Sequence, residues 1–98
     1  MLFRSMEVTY DPNKNEKNIA LRGLSFDRVA ALDFDRAVFT IDARRDYGEV
    51  RRKALAFLGE RLHSLIFVEA DNGIRVVSFR KASRKEQQQY AKAKYPKS

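Results

Sequence analysis

The residues best suited to chemistry lie between positions 74 and 90, where a strand-like stretch runs directly into a helix-like one. β-branched and aromatic residues dominate positions 74–79, as in a buried strand. Ser83 followed by Glu86 three residues later is typical of a helix capping box, in which each side chain accepts from the other residue's backbone N–H. Because a helix N-terminus attracts anions and Arg binds phosphate through paired N–H groups, this junction predicts a phosphate site. Its cations are Arg80, Lys81, Arg84 and Lys85.

The charge of the chain is concentrated in its C-terminal part. Residues 1–74 contain 12 Lys or Arg and 12 Asp or Glu, whereas residues 75–98 contain 8 basic residues and one acid, Glu86. The whole net charge of +7 therefore belongs to residues 75–98. A patch of one sign raises the encounter rate and the non-specific affinity for a polyanion such as nucleic acid. A solvated basic helix that only keeps a small protein soluble has the same composition.

Length and composition limit the class of protein. The 98 residues, of which 44% are hydrophobic, can bury one modest core, so we expect a single domain over residues 1–98. The absence of cysteine excludes disulfides and thiolate metal sites and fits a reducing compartment. No secretory signal pattern is visible, and no apolar run approaches the roughly 18 residues of a membrane span. We therefore expect a cytoplasmic protein without membrane contact.

Two helices, at residues 12–21 and 25–33, are predicted near the N-terminus. Asp11 followed by proline is a strong start signal, since proline lacks an N–H that the first helical turn would leave unpaired. Gly23 supplies the left-handed residue that commonly ends a helix. Ser25 begins the second helix, whose apolar residues form one face. These are Phe26, Val29, Ala30 and Leu32.

After position 36 the apolar pattern changes from a helical to a strand-like period. Asn72-Gly73 between two apolar runs is a strong hairpin signal, and consecutive strands joined by short turns form a meander. The predicted fold class is α+β: a four-stranded antiparallel meander, optionally joined by a short N-terminal strand, covered by two N-terminal helices and a basic C-terminal helix. The strands are predicted at 7–10, 37–41, 51–58, 62–69 and 74–79, and the C-terminal helix at 83–95.

The sequence gives no convincing metal site or hydrolytic centre. His63 is the only histidine, and within a strand pattern it is more easily explained as a buried structural residue than as a ligand or base. The sequence contains no defensible Ser/His/Asp or Cys/His arrangement and no glycine-rich phosphate loop. We therefore predict no metal and no cofactor.

A cluster of Arg and Lys could still cleave RNA, because the substrate supplies its own nucleophile, the 2′-hydroxyl. Arg80 is the candidate clamp for the scissile phosphate, and Arg51 could project toward the same site. Simpler roles remain open: an ion pair for either Arg, a helix cap for Glu86 and an apolar anchor for Tyr90. The candidates for proton transfer are Glu49, Glu86, His63 and Tyr90. Weaker candidates, which would line an RNA groove or face water, are Arg44, Arg45, Arg52 and Lys53.

Over about residues 8–90 the chain resembles the BrnT-type toxins of bacterial type II toxin–antitoxin systems. The order and spacing of short fragments carry the resemblance. Arg22 stands where the family usually has the His of a Lys-His-Gly motif, so only a cationic role passes to it, and Arg52 and Lys53 stand where the family tends to be aliphatic. The matching fragments are Asp11, Lys14 and Asn18 before Gly23-Leu24-Ser25-Phe26; Asp46-Tyr47-Gly48-Glu49 with Arg51, Ala54 and Leu55; and Ser78-Phe79-Arg80-Lys81-Ala82 with Arg84, Glu86 and Tyr90.

The resemblance implies a RelE-like α+β fold and a metal-independent endoribonuclease that inhibits translation. It also implies a cognate antitoxin of the ribbon-helix-helix class (BrnA-type), which binds both the toxin and promoter DNA. The toxin would then be bound to promoter DNA only through the antitoxin. Two other functions remain open: a non-catalytic basic module that only grips nucleic acid, and an interaction protein whose basic face is covered by an acidic partner. The residues predicted to bind RNA are Lys81, Arg84, Lys85, Arg22 and Lys14.

Overall fold

The computed structural model describes residues 6–44 and 46–96. Its elements are, in chain order, β1 (Glu7–Tyr10), α1 (Pro12–Arg22), two 3₁₀ helices (Phe26–Ala31 and Phe34–Arg36), β2 (Val38–Ile41), β3 (Arg52–Leu58), β4 (Arg61–Ala70), β5 (Gly73–Lys81) and α2 (Arg84–Lys94). None of the helices in these ranges is long and apolar enough to cross a membrane.

The five strands form one mixed sheet in the order β1-β5-β4-β3-β2. Each of β2, β3 and β4 pairs antiparallel with the next strand along the chain, whereas β1 pairs parallel with β5. The predicted α+β class is confirmed, and the short N-terminal strand is present. Gly73 permits the parallel pairing, because a Cβ at this position would collide with the backbone of Glu7.

The prediction of a second α-helix was wrong. Ser25 does cap the segment through its side chain, but the segment consists of two 3₁₀ helices separated by a break at Leu32 and Asp33. The N–H of Asp33 bonds to a carbonyl of β3 (2.9 Å), which takes the chain out of helical geometry. Apolar residues recur at every third position, which suits the three residues per turn of a 3₁₀ helix, and Ala30 is exposed. The buried residues are Phe26, Val29 and Leu32.

The two faces of the sheet are covered by different elements. The face that packs against the first 3₁₀ helix carries the larger core, and we call it the back face. The other face, which we call the α2 face, packs against α2 through a smaller cluster. The back-face core includes Phe26, Val29, Leu32, Ala54, Leu65, Phe67 and Phe79. The cluster on the α2 face comprises Leu55, Leu62, Ala82 and Tyr90, with Val38 and Phe57 packed against it.

Polar side chains attach α1 to the sheet. The buried residues of this helix are Asn15 and Asn18. The Asn18 amide donates to the carbonyl oxygens of Leu24 (2.9 Å) and Phe79 (3.0 Å), and Asn15 Oδ1 accepts from the N–H of Phe26 (2.8 Å). Because β1 stops before this part of β5, the Phe79 carbonyl would otherwise lack a partner. Asn18 therefore closes the edge of the sheet where β1 ends.

Replacing Asn18 by Leu should destabilise the protein by about 2–4 kcal/mol, because two buried carbonyls lose their donor at about 1–3 kcal/mol each. The measurement is the free energy of unfolding from chemical denaturation. Asn13→Leu, at an exposed position of the same helix, is the matched control and should change that free energy by less than about 0.5 kcal/mol. Equal losses in the two variants would contradict this role for Asn18.

Candidate functional site

A buried carboxylate lies at the centre of the candidate site. Glu86, in the first turn of α2, has 7% of its side chain exposed. Its Oε1 accepts from Arg80 Nη1 (2.8 Å) and from the backbone N–H of Ser83 (2.8 Å), while its Oε2 accepts from Arg80 Nη2 (3.0 Å) and lies 2.5 Å from Lys53 Nζ. Ser83 Oγ accepts from the Glu86 N–H in return (3.2 Å). The capping box is therefore present, and the same carboxylate joins α2 to β3 and β5.

The charge state of Glu86 follows from these contacts. Burial disfavours the ionised carboxyl, but hydrogen bonds from Arg80, Lys53 and the Ser83 backbone outweigh it and hold the pKa of Glu86 well below its usual range. Glu86 is therefore an anion with both oxygens occupied. This arrangement suits the positioning of Arg80 and Lys53 better than it suits proton transfer.

Arg80 retains donors for a second anion. Three of its N–H groups are used, two by Glu86 and one by the carbonyl of Lys81 (3.2 Å). Of the five that a guanidinium carries, this leaves the Nε–H and one Nη2–H, which point to the same side and form a second bidentate fork. No partner for this fork is found among residues 6–44 and 46–96. With 36% of its side chain exposed, Arg80 can receive a ligand from solvent.

Arg80 and Lys53 line an open groove of about 620 Å³ between α2 and the sheet. Arg44 lies at the same groove and makes a bidentate pair with the buried carboxylate of Asp42 (2.8 and 2.9 Å). Hydrogen bonding to Arg44 lowers the pKa of Asp42, so this pair is charged as well. The neutral lining includes Thr40, Leu55, Ile66, Ser78, Gln89 and Ala93.

Arg51 belongs to a second ion cluster. Its Nε lies 3.2 Å from Glu49 Oε2, and Arg75 Nη2 lies 2.8 Å from Glu49 Oε1. The Arg51 guanidinium also lies 4.0 Å from the centre of the Tyr47 ring. Hydrogen bonds from Arg75 and Arg51 lower the pKa of Glu49 despite its partial desolvation. Glu49, a predicted proton carrier, is therefore an anion shared by two cations.

The structure places Arg51 and Arg80 on one face but does not bring them into one groove. Arg51 precedes Lys53 by two residues, so strand alternation places both on the α2 face. Arg80 pairs with Ser64 of β4, and Ser64 pairs with Leu55 of β3, so Leu55 is the residue of β3 that lies level with Arg80. Arg51 lies four residues from Leu55, about 13 Å along the strand. Arg51 is absent from the groove lining among the described residues, so the two guanidiniums are fixed at separate acids rather than at one common site.

Two further proton candidates lie outside the groove. Tyr90 is buried, and its hydroxyl donates to the carbonyl of Arg36 (2.9 Å). Burial raises its pKa, and this geometry suits an anchor of α2. His63 is 4% exposed and its ring lies 5.4 Å from that of Phe79 in the back-face core. Burial lowers its pKa, and the sheet separates it from Glu86.

The predicted RNA-binding residues occupy three places. Arg84 and Lys85 are exposed in the first turn of α2. Lys81 and Arg22 line a pocket on the back face. Lys14 lies near the start of α1, about 12 Å from Arg22 along the helix axis. They therefore surround the junction of β5 and α2 on both faces of the sheet, with Lys14 as the outlier.

Sequence reasoning undervalued Lys53 and missed Arg75. Strand alternation could have identified Lys53, because it stands two residues from Arg51 and two from Leu55. Its partner Glu86 is 33 positions away, and Glu49, the partner of Arg75, is 26 positions away. Neither ion pair can therefore be predicted from neighbouring residues in the sequence. Arg45, another of the weaker candidates, lies outside the described residues.

The acids at the site are already engaged with cations. Within the described parts of the chain, no three His, Asp or Glu side chains form a group that could hold a metal ion. Glu86 and Glu49 are each shared by two basic side chains, and Asp42 is paired with Arg44. The donor groups that remain are guanidinium and ammonium N–H groups, which suit an anionic ligand.

Replacing Glu86 by Gln should destabilise the protein at neutral pH by about 1–3 kcal/mol. This is less than the cost of removing one partner of a fully buried ion pair, because both cations reach water. The folded-state pKa of Glu86 lies below its unfolded value, so its stabilisation is complete above about pH 4.3 and is lost as the pH falls further. The difference between wild type and variant should therefore shrink in acid. Denaturation at pH 7 and pH 3 measures it, with Glu60→Gln in the exposed β3–β4 turn as control. A difference that stayed constant with pH would contradict this assignment.

A comparison with known protein families identifies the family of this chain. A family model described as "Ribonuclease toxin, BrnT, of type II toxin-antitoxin system" matches residues 10–86, from the end of β1 to the carboxylate at the centre of the site. No curated protein and no solved structure gives a significant match. Because the match spans most of the chain, the protein belongs to the BrnT family of ribonuclease toxins of type II toxin–antitoxin systems.

Proposed function

We propose that this toxin is a metal-independent endoribonuclease that cleaves RNA in the groove on the α2 face and thereby inhibits translation in the cytoplasm. In this proposal the whole chain acts as one domain with a RelE-like fold. One observation carries it: Glu86 holds Arg80 and Lys53 side by side at an open groove. Two fixed cations at one point favour a group whose negative charge increases during the reaction.

The proposed reaction uses the nucleophile of the substrate. The 2′-hydroxyl oxygen attacks the adjacent phosphorus, the bond from phosphorus to the 5′-oxygen breaks, and the products are a 2′,3′-cyclic phosphate and a 5′-hydroxyl. The free fork of Arg80 binds two phosphate oxygens, and the Lys53 ammonium lies beside them. Both cations stabilise the charge that accumulates on phosphorus-bound oxygens in the transition state.

Proton transfer in this proposal passes through solvent in the open groove. Of the four predicted proton carriers, Glu86 and Glu49 are anions shared by cation pairs, and Tyr90 and His63 lie outside the groove. Water takes the proton of the 2′-hydroxyl and returns one to the departing 5′-oxygen. The contribution of the protein is thus mainly electrostatic and positional.

The RNA strand and the antitoxin would use the same surface. Arg84 and Lys85, beside the groove, would bind flanking phosphates, and Lys81, Arg22 and Lys14 extend the cationic surface. Family membership implies an antitoxin partner, and we propose that it is of the ribbon-helix-helix class (BrnA-type) and covers the groove. Promoter DNA would then be bound only through the antitoxin.

Arg80→Ala should lower the rate of RNA cleavage by a factor of about 10² to 10³, the usual effect of removing one transition-state donor. Purified protein is incubated with total cellular RNA in the presence of a chelator, and growth inhibition is scored in parallel. Arg52→Ala is the matched control, because Arg52 neighbours Lys53 on β3 but pairs with Glu69 (2.7 Å) and lies on the back face by alternation; this variant should cleave like wild type.

The outcomes separate the alternatives. A folded Arg80→Ala protein that cleaved RNA and inhibited growth like wild type would overturn the proposed site. Chelator-sensitive cleavage would overturn metal independence. Wild-type protein that bound RNA tightly but left it intact, with and without ribosomes, would indicate a non-catalytic nucleic-acid module.

A further inference from the structure

The back face of the sheet carries a second cationic pocket, which the proposed reaction does not use. It has a volume of about 530 Å³ and lies where the end of α1, the first 3₁₀ helix, the end of β3, the start of β4 and the end of β5 meet. No carboxylate lines it among the described residues. Its polar lining comprises Arg22, Arg28, His63, Arg80 and Lys81.

Apart from Arg80, which lines both sites, the cations of this pocket differ from those of the groove in their partners. In the groove, Arg44, Lys53 and Arg80 are each paired with a carboxylate. In the described parts of the chain, Arg28 and Lys81 have no acidic partner within ion-pair distance, and Arg22 bonds only to the neutral amide of Asn18 (2.9 Å). Cations gathered without a counter-charge favour an external anion.

His63 presents an acceptor nitrogen to the same pocket. Its Nδ1 lies 2.9 Å from the carbonyl oxygen of Arg61, and a carbonyl can only accept, so Nδ1 carries the proton of the neutral ring. Burial, together with the charges of Lys81, Arg61 and Arg28, lowers the pKa of His63. Arg22 and Arg80 line the pocket as well, and within the described parts of the chain all of these charged groups are cations. An anion in the pocket would reverse their effect and let Nε2 take up a proton and donate to it.

We propose that this pocket binds a phosphate group, and, resting on the proposed function, that this phosphate belongs to the RNA strand whose scissile phosphate is held by Arg80. Arg80 lines both the groove and the pocket. β1 pairs with β5 only as far as Val76, so beyond that residue no further strand separates the α2 face from the back face at this edge of the sheet. A strand that leaves the groove past Arg80 and Lys81 crosses this edge and places its next bound phosphate among Arg22, Arg28 and His63.

The experiment uses His63 as a reporter, because it is the only histidine of the chain. Its imidazole signals are followed by NMR against pH, without ligand and with hexathymidylate, a single strand that cannot be cleaved through a 2′-hydroxyl. We expect the pKa of His63 to rise in the presence of hexathymidylate and to rise much less in Arg28→Ala. Sodium chloride at matched ionic strength is the control for screening. An unchanged His63 titration, or the same change with chloride alone, overturns the proposal.

A second measurement connects the pocket to RNA binding. Arg28→Ala should reduce the slope of log affinity against log salt for single-stranded RNA by about 0.7, the value for one phosphate contact, whereas Arg36→Ala, an exposed Arg on the second 3₁₀ helix, should leave it unchanged. If wild type cleaves RNA but His63 does not respond, the pocket proposal fails and the proposed function stands. If His63 responds but no RNA is cleaved, the pocket stands and the proposed function fails. If the pKa of His63 rises but Arg28→Ala leaves the salt slope unchanged, the pocket binds phosphate without being reached by the RNA strand. That result would overturn the proposed path of the strand past Lys81.

Discussion

The ion cluster around Glu86 is the interaction on which the rest of the site depends. Residues 75–98 contain this one acid among 8 basic residues, and four of those cations crowd the start of α2, where the helix dipole disfavours positive charge. Glu86 offsets this unfavourable field, completes the capping box and fixes Arg80 and Lys53 in one geometry. One buried carboxylate therefore links helix formation, the docking of α2 on the sheet and the arrangement of the two cations that we propose bind phosphate. The cost of its desolvation is offset only because all of its partners are present together.

The edge of β5 connects the two cationic sites. β1 covers only the first half of this strand, and Asn18 of α1 supplies the hydrogen bond that a neighbouring strand would otherwise provide at Phe79. Because a polar side chain rather than a further strand closes the edge, Arg80 and Lys81 stay accessible beside it. Arg22, at the end of α1, lines the back-face pocket together with Arg28 of the first 3₁₀ helix.

Local rules predicted the parts of the structure that depend on neighbouring residues. The caps at Asp11 and Ser83, the hairpin before β5 and the α+β class follow from patterns of a few residues, and the structure has them. The turn of that hairpin, however, consists of Asp71 and Asn72 rather than Asn72 and Gly73, because Gly73 already pairs with Ala70 as the first residue of β5. The helix predicted after Ser25 failed because an apolar spacing of three fits a 3₁₀ helix as well as an α-helix, and a hydrogen bond from Asp33 to a distant strand decided the outcome. Which cation meets which acid, as in Lys53 with Glu86, depends on strand register and could not be read from the chain.

A comparison of two RNA substrates that differ only in one 2′-hydroxyl at a mapped cleavage position shows whether the substrate supplies the nucleophile. The proposed reaction takes its nucleophile from the substrate, and the protein supplies only charge stabilisation and positioning. We predict that wild-type toxin, in the presence of a chelator, cleaves the all-RNA strand at this position to a 2′,3′-cyclic phosphate and leaves the 2′-deoxy strand intact there. Cleavage of the 2′-deoxy strand at a comparable rate would contradict the account, because the attacking group would then have to come from water or from the protein.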